Sequence, residues 1–231
     1  MTLVSYALEE TTALITMDDG KANALSDGMI GELTAALTRA ESEAKAVVLA
    51  GRPERFCGGF DLKVMMSSPD AARTLLRTGA ALLMRLYGSP LPVVAACTGH
   101  AVAGGALVLL TADVRIGAEG DFRVGLNEVS IGLPVPVLAM ELARDRIVPT
   151  ELARATLFAK IYGPEEAARV GFLDEAAPPD QLLFRAKAEA AKLGALSRNA
   201  FHATKTRLRG RTIERIQSTL AEDMASITVG G

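Results

Sequence analysis

Two uninterrupted apolar runs limit what this chain can fold into. Residues 46–50 read Ala-Val-Val-Leu-Ala, and residues 92–97 read Pro-Val-Val-Ala-Ala-Cys. A strand with one wet face alternates apolar and polar side chains. These runs do not alternate, so each reads as a strand covered on both faces, the situation of central strands in a parallel sheet. A parallel neighbour is reached through a crossover, usually a helix. Between the two runs, Pro69 and Asp70 open a helix lined by Leu75, Leu76, Ala80, Leu82, Leu83 and Leu86. Upstream, a short run at 14–17 lies between Thr12 and Asp18-Asp19-Gly20 and reads as strand and turn. Ser26 or Asp27 can cap a helix to about residue 44, with Ile30, Leu33 and Leu37 at helical spacing. Beyond residue 97 come a Gly-rich turn, an apolar helix near 104–111 and a strand near 113–116. The order strand, helix, strand, helix, strand, helix, strand is that of a mostly parallel α/β domain.

After Pro134 the pattern turns helical, at 137–144, 150–158, 164–170, 179–193, 200–208 and 212–227, punctuated by Gly163-Pro164 and Gly171. The chain therefore divides into an α/β core at 1–134 and a helical region at 135–231. Glu and Arg pairs within 141–146 and 214–222 read as solvated helix faces.

With 231 residues and 49% hydrophobic side chains, the chain can fill one core with a helical appendage. Its 25 Lys plus Arg against 27 Asp plus Glu give no electrostatic reason to expect nucleic acid or an anionic membrane as partner. Cys57 and Cys97 are too few for a disulfide framework and read as buried free thiols of a reducing cytoplasm. His100 and His202 are the only histidines, and no zinc-ligand spacing occurs. Residues 1–6 carry neither a basic region nor a long apolar run, so no signal peptide or membrane span is expected, and the expected location is cytoplasmic.

Two glycine-bearing segments carry the chemical signal. Phe56-Cys57-Gly58-Gly59-Phe60-Asp61-Leu62-Lys63 can form a turn that aims a backbone N–H into a pocket. Thr98-Gly99-His100-Ala101-Val102-Ala103-Gly104-Gly105-Ala106 leaves a strand and enters a helix, whose first N–H groups suit a developing negative charge. Neither is specific alone, since a Gly-Gly turn is often only tight packing. The second segment lacks the phosphate-loop Lys and the dinucleotide Gly spacing, which excludes both nucleotide readings.

Taken together, the two segments resemble those of the crotonase, or enoyl-CoA hydratase/isomerase, family. The resemblance runs through nearly the whole chain. It includes Lys21-Ala22-Asn23-Ala24-Leu25, both glycine segments, Asp113, the stretch from Leu126-Asn127-Glu128 to Gly132-Leu133-Pro134, and Ala167-Ala168-Arg169-Val170-Gly171-Phe172-Leu173-Asp174-Glu175. It implies a spiral of ββα turns with a C-terminal helical trimerisation region. It also implies an acyl-CoA thioester substrate whose coenzyme A needs no separate cofactor beside it, and a trimer or dimer of trimers.

Residue by residue, the resemblance implies that the backbone N–H groups of Phe60 and Gly104 hold the thioester oxygen as an oxyanion. Hydratases of the family usually carry two glutamates. Here the later one aligns with Glu128, while the position on the central helix is Leu107, which cannot move a proton. A single glutamate suffices to shift a double bond, and Leu126-Asn127-Glu128 is similar to the Δ3,Δ2-enoyl-CoA isomerases of the family. The resemblance also places Ala22, Cys57, Gly58, Leu62 and Gly105 along the substrate path. Asp61 is expected to brace the oxyanion turn, and Lys21 and Lys63 to approach the CoA phosphates or adenine unless they are simply solvated. Asp113 and His100 read as packing or hydrogen-bonding residues. Met65 and Met66 fit either an acyl tunnel or the core. The leading expectation is an enoyl-CoA isomerase. The alternatives are an enoyl-CoA hydratase, another thioester enzyme such as a hydrolase, or a CoA-thioester binding protein without catalysis. Against the family's usual length the chain ends about one helix early, at Gly231. In many relatives that helix, sometimes from a neighbouring subunit, covers the CoA or acyl pocket.

Overall fold

The structure is a computed structural model that describes residues 2–226. Met1 and Ile227, the outer ends of two of the stretches read above, lie outside the described residues.

Strands β1 (Val4–Glu9) and β2 (Thr12–Met17) form an antiparallel hairpin with Glu9 opposite Thr12. Helix α1 (Asp27–Glu43) then crosses over so that β2 runs parallel to β3 (Ala46–Gly51). Ser26 Oγ accepts from Met29 N and starts that helix, as its position before the apolar periodicity suggests. From β3 onward the chain repeats a two-strand unit. The first is β3 and β4 (Glu54–Cys57), leading into α2 (Leu62–Met65) and α3 (Pro69–Tyr87). The second is β5 (Val93–Cys97) and β6 (Gly99–Val102), leading into α4 (Gly104–Thr111). The third is β7 (Val114–Ala118) and β8 (Val124–Gly125), followed by a 3-10 turn, Val129–Ile131. The first strand of each unit enters a six-stranded sheet of order β1-β2-β3-β5-β7-β9, closed by β9 (Glu175–Ala177); the second enters a three-stranded parallel sheet, β4-β6-β8. This is the expected spiral of ββα turns.

The late helices are α5 (Val137–Arg146), α6 (Leu152–Ala155), α7 (Pro164–Val170), α8 (Pro179–Gly194) and α9 (Arg198–Ser226). They explain why β3 and β5 are apolar throughout. Val47, Leu49, Val93 and Ala95 point into the main core with α1, α3 and α4. Ala46, Val48, Ala50, Val94 and Ala96 face Leu182, Ala186 and Ala190 of α8 on the opposite side of the sheet.

Asp113 ties α9 to this core. Its Oδ2 accepts from Val93 N at 2.8 Å and from Lys205 Nζ at 2.7 Å, while its Oδ1 lies 3.0 Å from an Arg209 amine. Arg209 also donates to Tyr87 O at 2.6 Å. Both cations are buried, and burial holds the Lys205 amine down to about 8 despite its carboxylate partner.

Several elements differ from expectation. The two helices expected on either side of Gly210 are the single helix α9. Lys205, Arg209 and Ile216 form one buried stripe at helical spacing that outweighs the cost of an interior glycine. The helix expected at 150–158 shrinks to α6. Ala159 has φ +50°, and the reciprocal backbone bonds between Tyr162 and Val124 pull the chain back to the sheet. Strands β1, β4, β6, β8 and β9 and the short α2 add to the seven elements read in the first half of the chain. No described helix is long and apolar enough to cross a membrane.

Removing the Asp113 carboxylate leaves two buried cations without a counter-charge. Asp113→Ala should therefore destabilise the fold by about 3–5 kcal/mol. Urea denaturation measures it, and a loss under about 1 kcal/mol would show that α9 is held by the apolar contacts of Ile213, Ile216 and Leu220 alone.

Candidate active site

The site begins where β4 and β6 end side by side. After β4 the chain turns through Gly58 and Gly59 to Phe60 and Asp61, and the stretch Ala22–Leu25 runs along that turn. Gly58 N donates to Ala22 O at 2.8 Å, Leu25 N to Gly59 O at 2.8 Å, and Asp61 N to Leu25 O at 3.2 Å. Asn23, fully buried at φ +54°, fixes the strap from below. Its Nδ2 donates to Met17 O at 3.0 Å and Arg55 O at 2.9 Å, and its Oδ1 accepts from Asp19 N. Asp61 Oδ1 accepts from Lys63 N at 2.9 Å and caps α2. Asn23 is a supporting residue that the motif contains but that sequence reasoning does not mark as part of the site. The available signal was an amide between short apolar residues, a side chain suited to left-handed backbone.

The second turn lies directly against the first. Gly59 has φ +97°, and a Cβ built on it would stand 3.1 Å from Ala103 Cβ and 3.3 Å from Gly104 N. Ala103, the residue before α4, itself has φ +50° with ψ −124°, a costly conformation for a residue with a Cβ. Gly104 and Gly105 form the first turn of α4, whose leading N–H groups have no carbonyl one turn earlier within the helix. A Cβ on Gly105 would overlap Cys57 O and lie 2.7 Å from Cys57 C. Cys57 is fully buried, and burial pushes its thiol up to about 12, so it serves as a wall rather than a nucleophile.

These turns open on a cavity of about 190 Å³. Gly58, Phe60, Leu62, Met65, Leu76, Ala103, Gly104, Leu107, Asn127, Glu128, Ile131, Leu133, Pro134 and Pro136 line it. Four expected site residues, Phe60, Gly104, Leu107 and Glu128, thus meet around one space, with Gly58 and Leu62 at its edge. Met65 lines it as well, whereas Met66 is exposed. Lys21, Ala22, Cys57, Asp61, Lys63 and Gly105 do not line it. Ala22, Cys57 and Gly105 back the two turns, and Lys21 and Lys63 are exposed beside residues of the rim. His100 lies outside the cavity. Its Nδ1 accepts from Arg123 N, its ring meets Phe122 edge-on, and burial lowers its pKa.

Among the described residues, Glu128 supplies the only carboxylate on that wall. It precedes the 3-10 turn, where its carbonyl accepts from Ile131 N at 3.1 Å and Leu133 N at 3.0 Å. Its side chain is 9% exposed, and Oε2 is buried without a hydrogen bond to the protein. Burial raises its pKa above the ordinary 4.5, only partly offset by its own backbone N–H. A shift in this direction moves a carboxyl group toward the range in which a general acid–base works. Leu107, in the first turn of α4, faces the same space and adds no second titratable group.

The Gly105 contact is backbone against backbone, so neither side can yield. Gly105→Ala should cost about 1–3 kcal/mol or more through overpacking. A thermal or urea melt checks it, and an undisturbed melt would mean that the turns are free to separate.

Comparison with known proteins agrees with this geometry. The family model "Enoyl-CoA hydratase/isomerase" matches residues 7–227. A probable enoyl-CoA hydratase of Rhodobacter capsulatus is 38% identical over 205 residues, spanning 87% of this chain and 79% of that protein. Among solved structures, an enoyl-CoA hydratase/isomerase family protein from Pseudomonas syringae superposes with a TM-score of 0.95 at 40% identity, covering 98% of both chains. The human mitochondrial delta3-delta2-enoyl-CoA isomerase superposes at 0.93 with 29% identity, over 96% of this chain and 89% of that one. With its motifs, its spiral of paired strands and these relatives, the chain belongs to the enoyl-CoA hydratase/isomerase, or crotonase, family.

Proposed function

We propose that the protein is an enoyl-CoA isomerase that moves a double bond from the 3 to the 2 position of an acyl-CoA thioester. The observation that carries this reading is a single buried carboxylate, Glu128, in a mainly apolar cavity, where Leu107 stands at the position that the family resemblance gives to a second acid. In the proposed reaction the thioester oxygen accepts hydrogen bonds from Phe60 N–H and Gly104 N–H. Those donors stabilise the enolate that forms when Glu128 takes a proton from the second carbon. Glu128 then returns the same proton to the fourth carbon, which conserves atoms and oxidation state. The reaction calls for no cofactor beside the coenzyme A of the substrate. Apolar walls suit an aliphatic acyl group and keep water from adding to the conjugated product. Exposed Lys21 and Lys63, beside rim residues of the two motifs, are the cations we assign to the CoA phosphates. The similarity to the human isomerase supports this reading. The similarity to a probable hydratase makes water addition the competing outcome.

Purified protein is offered a 3-enoyl-CoA and a 2-enoyl-CoA, with conjugation and hydration followed separately. Migration without rapid hydration is expected. Hydration of the 2-enoyl substrate without migration from the 3-enoyl one would replace the reading by a hydratase. Glu128→Gln should lower migration at least about a hundredfold, the scale of general acid–base catalysis, while thioester binding survives.

The raised pKa of Glu128 has a sign that can be tested twice. The base form is needed, so kcat/KM should climb with pH along an acid limb displaced above 4.5. Across that same window the folded state holds a proton that the unfolded chain has lost. Glu128 therefore costs stability as pH rises through its folded pKa. Glu128→Gln should match the parent in stability below pH 4.5 and exceed it above. A Glu128→Gln protein that is less stable at neutral pH would contradict the buried, uncompensated carboxylate.

Assembly follows from the exposed apolar side chains of the late region. Leu157 is 63% exposed, Phe158 67%, Phe184 75% and Leu208 73%. We assign these to contacts between copies in a trimer-based oligomer. Sedimentation should find a species about three times the chain mass or a multiple of it, and a monomer at micromolar concentration would exclude the assignment.

A further inference from the structure

A glycine inside a helix is unfavourable relative to alanine, so a buried one asks for a reason. Gly79 lies mid-way along α3 and is buried, with helical residues on both sides. A Cβ built on it would overlap Phe60 Cε1 and stand 2.6 Å from Phe60 Cζ. The same ring reaches α4, where a Cβ on Gly104 would meet Phe60 Cδ2 at 3.0 Å and Cε2 at 3.1 Å. The Phe60 ring is therefore wedged between two helices, each of which meets it with a glycine. Its backbone has little room to yield, because the strap through Leu25 pairs with it and Asp61 N is bonded to Leu25 O.

We infer that Gly79 is a positioning residue for the oxyanion site. The side chain it lacks is the space that seats the Phe60 ring, and the seated ring sets how far the Phe60 N–H stands from the Gly104 N–H. This rests on the proposed assignment of those two groups as the donors to the thioester oxygen. Gly79 touches no reacting atom; it acts through Phe60. A methyl at position 79 displaces the ring toward α4 and the turn. The push on the ring is passed to the Phe60 backbone and moves one donor relative to the other, while the rest of the cavity wall and the CoA contacts stay as they are. The signature is a loss in kcat with little change in KM, because the interaction lost is made chiefly in the transition state.

The test is a double-mutant cycle of Gly79→Ala and Phe60→Leu, a leucine keeping the backbone donor but giving back the space. Turnover of a 3-enoyl-CoA is measured beside the infrared carbonyl stretch of bound butanoyl-CoA labelled at its carbonyl carbon. Butanoyl-CoA has no double bond to move, and its stretch falls as the two donors polarise the carbonyl. Gly79→Ala is expected to lower kcat about tenfold to a hundredfold, the scale on which a misplaced group costs rate, and to return the stretch toward its free value. In the Phe60→Leu background the same change should have no effect on either readout. Should Gly79→Ala fail to fold, Phe60→Trp with Gly79 intact crowds the same wedge and should give the same two losses. Unchanged kcat and stretch in Gly79→Ala, or equal losses with and without the Phe60 ring, would overturn the inference alone. Unperturbed kcat and stretch in Phe60→Trp would do the same. If the stretch does not move when butanoyl-CoA binds the unaltered protein, the donors themselves are misassigned and the inference falls with them.

Discussion

The structure depends on the approach of two backbone turns, one after β4 and one after β6. Gly59 stands against Ala103 and Gly104, and Gly105 against the carbonyl of Cys57. At Gly59 and Gly105 the facing backbone comes so close that a Cβ on either glycine would crowd it. The spiral makes the approach repeatable: each unit sends its first strand to the large sheet and its second to the small one, so successive corners stack. Parallel pairing of β4 with β6 then puts the end of one turn beside the start of α4. The strained backbone of Ala103 is the cost of entering a helix at that corner, and α4, buried throughout, holds it there.

Much of this could be read from the chain because the constraints are local. Runs at 46–50 and 92–97 are apolar throughout because α8 covers one face of the sheet and the main core the other, and that is what continuous hydrophobicity encodes. The glycine segments were readable for the same reason, a backbone that tolerates no side chain. Strands β4, β6 and β8 were harder to see. They have two to four residues and include Gly99 and Gly125, and their pairing is decided by stacking with the next unit rather than by propensity. In α9 a glycine conceals only the continuity of the helix, which is fixed by partners far along the chain, Lys205 and Arg209 with Asp113. The meeting of Phe60, Gly104, Leu107 and Glu128 came from family resemblance, since no periodicity links positions this far apart. Gly79 could not be read at all: a lone glycine in an amphipathic helix looks like a small defect until its partner nineteen positions earlier is placed beside it.

The energetics of the site and of the scaffold pull in different directions. Around Asp113 the fold gathers buried charges of both signs and pairs them, so the carboxylate accepts from a backbone N–H and faces two cations. Around Glu128 it does the reverse, leaving a buried carboxylate oxygen with no protein donor. The first arrangement fixes the last helix to the sheet. In the proposed reaction the second keeps a proton exchangeable. Both carboxylates are largely buried, so it is the partners and not the burial that distinguish them.

The same reasoning explains why Leu107 matters as much as Glu128. A carboxylate at position 107 would share the small cavity with the first, and two such groups side by side hold one proton between them, displacing both titrations. With leucine there, Glu128 has no second carboxylate beside it in the cavity, and burial raises its pKa. Proton transfer between two carbons of one substrate needs a base that is neither solvated nor paired. Addition of water needs a second polar group to deliver it. In the proposed isomerisation Glu128 meets the first condition, and Leu107 is the side chain that leaves it without a second carboxylate.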